Sequence, residues 1–261
     1  MTSICLKGDC LELMKDLSNN SIDLFICDLP YGCLGGKERD RSGEGDIGRK
    51  PENQLGGCPW DIKIDLEKFW IEIKRLSRTD KTPVLMFCNT KFGVDLINSN
   101  PKWFRYDLVW NKNNGTSFLL ANKMPMKSHE LIYVFSKKGS FYKRIDQEVI
   151  GKEAYYDGRT YMKKANTYGN DMGRLIRQQK DNKRCPLSII NSTSKKDKRH
   201  PTAKPIDLLK WLIERYSNEG DTILDPTAGS FNSGRASIEL NRKYIGIEMD
   251  KCFYDKNHIK E

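Results

Sequence analysis

The sequence lacks an apolar run approaching the length of a membrane span, which excludes a transmembrane helix within it. Met1 is followed by Thr2-Ser3 and a short strand, not by a basic stretch and an apolar core, so no secretory leader is expected. The eight cysteines, at 5, 10, 27, 33, 58, 88, 185 and 252, contain no C-x-x-C pair. Several of them sit inside apolar, strand-like runs, and the cysteines are read as reduced, mostly packed thiols in an intracellular, cytoplasmic protein. His129-Glu130 would open a zinc-protease motif, but the second histidine position is Tyr133, so no metal site is expected. At 261 residues the chain can hold one sizeable domain, or one domain with an insertion, and its core needs no staples.

What the chain does carry is a localised positive charge. The net charge is +10, and residues 136–199 hold seventeen Lys or Arg against seven Asp or Glu, leaving the remainder balanced at 28 of each sign. Cations gathered on one segment suit a polyanion surface, because their binding releases counterions. A solvated, flexible basic loop would have the same composition, and charge alone leaves both readings open.

Two stretches carry chemistry. The first is Asp28-Leu29-Pro30-Tyr31-Gly32, following the apolar run 22–27. Continuous rather than alternating hydrophobicity fits a strand in a parallel sheet with both faces covered. Such a strand delivers an acceptor carboxylate, a rigid proline and a ring to one point on a sheet edge, a combination suited to a planar base bearing an amino group. Behind it, residues 32–57 contain eight glycines and hardly an apolar residue beyond Leu34, Ile47 and Leu55. A mobile loop over 32–58 is expected, acting as a lid or DNA-contacting loop or as a poorly ordered excursion.

The second stretch is a strand, turn, helix and strand running from Thr222 to Glu248. Small residues in the turn 226–234 let backbone approach a ligand, and an acid after the next strand can hold ribose hydroxyls. Asp225 and Glu248 lie 23 residues apart, close to the roughly 20-residue spacing of nucleotide-binding α/β units. The turn lacks G-x-G-x-x-G, which argues against a dinucleotide and leaves an adenosine-containing ligand or an ordinary tight βα connection. Between these stretches the apolar spacing predicts helices over 65–77, 92–98 and from 206, the last started by Pro205, and strands at 84–88, 107–110 and 129–135.

Asp28-Leu29-Pro30-Tyr31 resembles the D-P-P-Y catalytic tetrad of amino-group DNA methyltransferases, and Asp225-Pro226-Thr227-Ala228-Gly229-Ser230 resembles their D-P-F-x-G-S cofactor motif. His129-Glu130 resembles their R-x-H-E segment, and His200-Pro201-Thr202-Ala203-Lys204-Pro205 their H-P-T-Q-K-P segment. Catalytic motif first and cofactor motif last is the order of the β group. Joined end to end, the strands ending at Asp225, Glu248, Asp9 and Asp28 follow the order of a Rossmann-like methyltransferase sheet. Leu29 departs from the first proline of the tetrad, and Thr227 and Phe231-Asn232 depart from the family's phenylalanine and G-T-T residues.

The resemblance implies an α/β fold, a Rossmann-like S-adenosylmethionine-dependent methyltransferase sheet with helices on both faces, circularly permuted motif order and an inserted target-recognition region. Residues 1–135 would form the catalytic half, 136–199 the target-recognition insertion and 200–261 the cofactor-binding half. The substrate would be double-stranded DNA and the acceptor the amino nitrogen of a flipped adenine. A cytosine-N4 enzyme, an inactive DNA-binding relative and, more remotely, an RNA or protein methyltransferase are the alternatives. Asp28, Pro30 and Tyr31 would be catalytic. Asp9, Asp28, Lys204, Pro205, Asp225, Thr227, Gly229, Ser230, Phe231 and Glu248 would hold S-adenosylmethionine, with Glu248 on the ribose, Asp9 on the adenine amino group and Gly229 with Lys204-Pro205 at the methionine end. No covalent intermediate is implied, so Cys27 and Cys33 are read as packing residues. A homodimer, a cognate restriction endonuclease and a prokaryotic, phage or viral origin complete what the resemblance suggests.

Overall fold

A computed structural model describes residues 3–32, 61–116, 118–148, 183–193, 200 and 202–259. The expected mobile loop beyond Gly32 and most of the basic segment lie outside these residues. The chain divides into two compact units, Met1–Lys143 with Ser188–Glu261, and Arg144–Leu187. In the second unit, β6 (Gln147–Glu148) pairs antiparallel with β7 (Lys183–Arg184), and Arg144 forms an ion pair with Asp146 at 2.5 Å.

The first unit is built on an eight-stranded sheet. Its strands are β1 (Ser3–Lys7), β2 (Leu24–Cys27), β3 (Val84–Cys88), β4 (Phe104–Thr116), β5 (Lys127–Phe135), β8 (Ile189–Asn191), β9 (Thr222–Asp225) and β10 (Lys243–Glu248), in the spatial order β1-β10-β9-β2-β3-β5-β4-β8. The first five in that order run parallel. From β9 the sheet extends through β10 to β1 on one side and through β2 to β3 on the other. A crevice therefore opens at the carboxyl ends of β9 and β2, where strand order reverses.

The permuted order is visible in the termini. The helix α6 (Lys251–Asn257) follows β10 and leads to Ile259, whose carbonyl accepts the Cys5 thiol of β1 at 3.8 Å, 254 residues away. Cys5 and Ile259 thus meet beside β1 and β10, the two strands that an unpermuted chain would link.

Strand alternation splits the core into two faces. Phe25 and Cys27 of β2 pack with Val84, Met86 and Cys88 against α2 (Leu66–Leu76) and α3 (Thr90–Ser99), which contribute Phe69, Trp70, Ile73, Phe92 and Leu96. Leu24 and Ile26 point the other way with Leu85 and Phe87, against Leu208, Leu209, Leu212 and Ile213 of α4 (Ile206–Tyr216). This two-sided burial is why 22–27 reads as a continuous apolar run. Asp65 caps α2 by accepting from the amides of Glu67 and Lys68, and Asn89 caps α3 by accepting from that of Phe92.

Three elements differ from the sequence expectation. β4 is longer than 107–110, because its outer part is stabilised by pairing with β5 rather than by burial of its own side chains. β8 buries one residue, Ile190, too little to leave a periodic signal. α6 is a short seven-residue helix announced mainly by its N-cap, Asp250.

The turn between β9 and β10 contains α5 (Asn232–Glu239), packed under the fully buried ring of Tyr244. A Cβ at Gly234 would lie 2.5 Å from both this ring and the Ile259 side chain. Alanine in place of a helical glycine ordinarily stabilises by about 1 kcal/mol, whereas forced overpacking costs about 1–3 kcal/mol. With Tyr244 unable to move, the second effect wins: Gly234→Ala is expected to lower unfolding free energy in a urea titration.

Candidate active site

The crevice between β9 and β2 is a cavity of about 550 Å³, within the size range of small-molecule sites. Five parallel strand ends surround it, so the residue after each strand is delivered to one place regardless of its distance in sequence.

Asp28, immediately after β2, is the centre of this geometry. Tyr31 donates its hydroxyl to Asp28 Oδ1 at 3.0 Å, and Lys204 donates Nζ to Oδ2 at 2.5 Å, across 176 residues of sequence. The Tyr31 ring stacks on Phe92 of α3, with centroids 5.2 Å apart and planes inclined by 28°. Burial, reinforced by the Asp28 charge, pushes the Tyr31 phenol well above its usual range, so it stays a neutral donor. Leu29 faces the core with 1% exposure, an apolar anchor between two cavity-facing neighbours.

Lys204 is 8% exposed and sits 5.0 Å over the Phe87 ring. Besides Asp28 it faces Glu130 Oε2 at 3.6 Å, and Glu130 Oε1 accepts from Lys112. The result is a buried alternation of charge, Asp28, Lys204, Glu130 and Lys112, running from the end of β2 to the β4–β5 pair. Burial alone would depress the lysine, but Asp28 and Glu130 outweigh it and hold the ammonium above its ordinary value. For Glu130, burial acts upward and is overcome by Lys204 and Lys112, leaving the carboxyl below its ordinary range. Asn232 Nδ2 donates to the Lys204 carbonyl at 2.9 Å and fixes this backbone to the start of α5.

On the opposite wall, Glu248 shapes the turn after β9. Its Oε2 accepts from the Gly229 amide and its Oε1 from the Asp250 amide, both at 2.7 Å. Gly229 has φ +48°, a left-handed conformation, and a Cβ there would lie 3.4 Å from the His200 ring. Asp225 Oδ1 accepts from the Thr227 amide at 3.1 Å, and Oδ2 accepts from Ser233, whose hydroxyl also meets that of Tyr244 at 2.9 Å. Burial pushes Asp225 up to about 7. The Thr227 hydroxyl oxygen is buried and has no hydrogen-bond partner among the described residues, a polar group awaiting one at the cavity wall. Asp9, after β1, caps the short helix α1 (Cys10–Leu13) by accepting from Leu11 at 2.7 Å.

Asp9, Asp28, Pro30, Tyr31, Lys204, Asp225, Thr227, Gly229, Ser230 and Glu248 all line the cavity. Two expected residues do not. Phe231 is fully buried with φ +55°, its ring in the core 6.1 Å from that of Tyr254, because the left-handed turn aims it away from the crevice. Pro205 stands behind Lys204 as the residue that begins α4. Lys204, expected at the methionine end of a cofactor, lines the cavity and contacts Asp28. Sequence reasoning names Glu130, Asn232 and His200 only as parts of motifs and assigns them no role in the site, and it misses Phe253, whose ring centroid lies 4.1 Å from that of His200. Glu130 is visible in the sequence only as part of a motif, and Phe253 could be reached from the Asp250 cap.

A family model described as DNA methylase matches residues 22–260. Among curated relatives, the chain is 28% identical to the type II methyltransferase M.HinfI of Haemophilus influenzae, covering 96% of this chain and 66% of that protein. It is 27% identical to the DNA adenine methyltransferase YhdJ of Escherichia coli strain K12, over 94% of this chain and 78% of YhdJ. Among solved structures, M1.HpyAVI in complex with SAM superposes with TM-score 0.56 at 20% identity, covering 97% of this chain and 96% of the other. The cytosine-N4-specific PvuII DNA methyltransferase gives 0.59 at 14%, covering 100% and 89%. At such identities the superpositions establish the shared fold.

Two outcomes follow from the geometry. Removing one member of a buried ion pair strands the other, so Lys204→Met should destabilise by roughly 3 kcal/mol, the low end for such changes because the Asp28 side chain keeps 27% exposure; Lys204→Arg should cost less, both measured by urea unfolding at pH 7. Asp225 binds its proton more tightly folded than unfolded, so its contribution is full below the unfolded carboxylate pKa and is lost as pH rises toward about 7. Asp225→Asn should therefore flatten the stability profile between about pH 4 and 7; an unchanged slope would mean that this carboxyl is already ionised.

Proposed function

The chain belongs to the DNA methylase family matched over residues 22–260, and on that premise we propose that it transfers a methyl group from S-adenosylmethionine to the exocyclic amino nitrogen of an adenine flipped out of duplex DNA. The observation that carries the reading is the convergence, in one cavity, of Asp28 with its two donors and of Glu248 with the turn after β9.

The residues present fit the cofactor. Glu248 and Asp9 offer carboxylates at adjacent strand ends for ribose hydroxyls and an adenine amino group, and the Thr227 hydroxyl lacks a partner among the described residues. When bound, S-adenosylmethionine supplies an electrophilic methyl on a sulfonium. The remaining chemistry belongs to the protein. An exocyclic amino lone pair is delocalised into the base and is a poor nucleophile. The two Asp28 oxygens are held by Tyr31 and Lys204, and each carboxylate oxygen retains acceptor capacity for a substrate N–H. Together with a backbone carbonyl near Pro30, this acceptor draws the nitrogen toward tetrahedral geometry and frees its lone pair, and fixed acceptors stabilise the positive charge that develops there. Asp28 then takes up the proton. The target nitrogen is engaged in base pairing, so the base leaves the stack and lies against Tyr31, a contact on the order of 1–3 kcal/mol by analogy with single-strand binders.

Adenine is preferred over cytosine on the aspartate-first tetrad and the adenine-specific naming of YhdJ. The basic segment 136–199 is proposed as target recognition, its cations on phosphates and a few side chains on base edges. A cognate endonuclease is supported by the type II designation of M.HinfI, and a homodimer by family resemblance alone. An intracellular location accords with the DNA substrate; among the described residues no helix is long and apolar enough to cross a membrane.

Incubation with methyl-labelled S-adenosylmethionine and mixed-sequence duplex DNA, followed by digestion to nucleosides, is expected to place label in adenine; label in cytosine would overturn the base assignment. Asp28→Ala should reduce transfer by roughly 10²–10⁴-fold while cofactor affinity largely persists. Glu248→Ala should chiefly weaken cofactor binding, read by calorimetry without DNA. Wild-type turnover by Asp28→Ala would sink the mechanism.

A further inference from the structure

The β4–β5 hairpin carries a feature that cofactor binding and methyl transfer leave unexplained. β3 ends at Cys88, opposite Leu131, yet β5 begins four residues earlier at Lys127 and β4 continues to Thr116. The hairpin therefore projects past the sheet on the edge where β2 ends at Asp28. Its foot is Glu130, whose carboxylate faces Lys204, the partner of Asp28. From Glu130 to Lys127 is roughly 10 Å of extended chain at about 3.3 Å per residue, and the tip lies beyond.

That tip displays apolar side chains to water. Phe118 is 76% exposed and Leu119 95%, with Met124 and Met126 also exposed. The backbone holding them is ordered: the amides of Ala121 and Met124 donate to the carbonyls of Phe118 and Leu120 at 3.0 Å, and the Thr116 hydroxyl donates to the Lys127 carbonyl at 2.9 Å. Across the hairpin, a Cβ at Gly115 would lie 2.7 Å from the Met126 methyl. A fixed turn that keeps a phenylalanine and a leucine outward, instead of folding them down, fits a surface met by a partner. Between Asn111 and His129 the charged side chains are Lys112, Lys123 and Lys127, with no Asp or Glu. An apolar point flanked by cations and free of acids matches a stacked, polyanionic partner.

We propose that the hairpin tip is a wedge that enters duplex DNA, with Phe118 and Leu119 taking stacking space beside the extruded base while Lys123 and Lys127 meet phosphates. The inference rests on the DNA methyltransferase reading and adds to it the element that opens the duplex. Apolar wedges of this kind unstack a base step, and a flipped base leaves a gap that such side chains can fill.

The test places a photocrosslinker at the tip, Phe118→p-azidophenylalanine, with Ile71→p-azidophenylalanine on the exposed face of α2 as control, and irradiates each with labelled mixed-sequence duplex. DNA crosslinks at 118 well above the control are expected. The double substitution Phe118→Ser with Leu119→Ser, at exposed positions that the fold does not use, should lower methyl transfer to duplex at least tenfold with cofactor affinity unchanged. Crosslinking at 118 no stronger than at 71 on bound duplex, or undiminished transfer by the double variant, would overturn the wedge. So would a wild-type dimer in sedimentation that the double substitution dissociates, which would assign the tip to a second copy of the chain. Absence of label from wild-type protein on every duplex would instead overturn the function reading, a result separable because crosslinking is scored on binding alone.

Discussion

The structure depends most on the ion pair between Lys204 and Asp28. It joins residues 176 positions apart, one just before α4 and the other directly after the central strand β2. A buried lysine facing two carboxylates is a costly arrangement unless each charge finds its opposite, and here Asp28, Lys204, Glu130 and Lys112 alternate. The alternation holds a carboxylate at the wall of the crevice with its two oxygens already aimed.

The same logic governs the opposite wall. Glu248 accepts from the amides of Gly229 and Asp250, and Asp225 accepts from Thr227 and Ser233, so acids at strand ends first shape the loops that surround the cavity. Tyr244 closes this unit from beneath, and the close approach of its ring to Gly234 and Gly246 explains why both positions lack a side chain. The residues that set the local backbone geometry thus also line the cavity, so a substitution that removes an acid here alters the loops around it.

Much of this is legible in the sequence. The strand ending at Asp28, the turn from Asp225 and the strand ending at Glu248 are short, strongly patterned and closed by residues with one chemical use, and the structure puts them where their pattern requires. Phe231 is expected at the cofactor and lies in the core, because the handedness of its turn, with φ +55°, has no signature in the residue's type. β8 leaves no trace in the sequence, because three residues with one buried side chain carry no period. Glu130 reads as part of a motif without a role, since its partners come from β4 and from the segment before α4.

By itself the sequence determined the strand-end acids and the two-faced burial of the central strands. These follow from residue type and spacing along a single strand or turn, interactions short enough for a linear text to record. Only the tertiary structure decided that Lys204 would meet Asp28, that Phe231 would turn inward and that the β4–β5 hairpin would carry its apolar tip above the active edge. Each depends on which strands become neighbours and in what register, and that is set by the packing of the whole sheet rather than by any stretch within it.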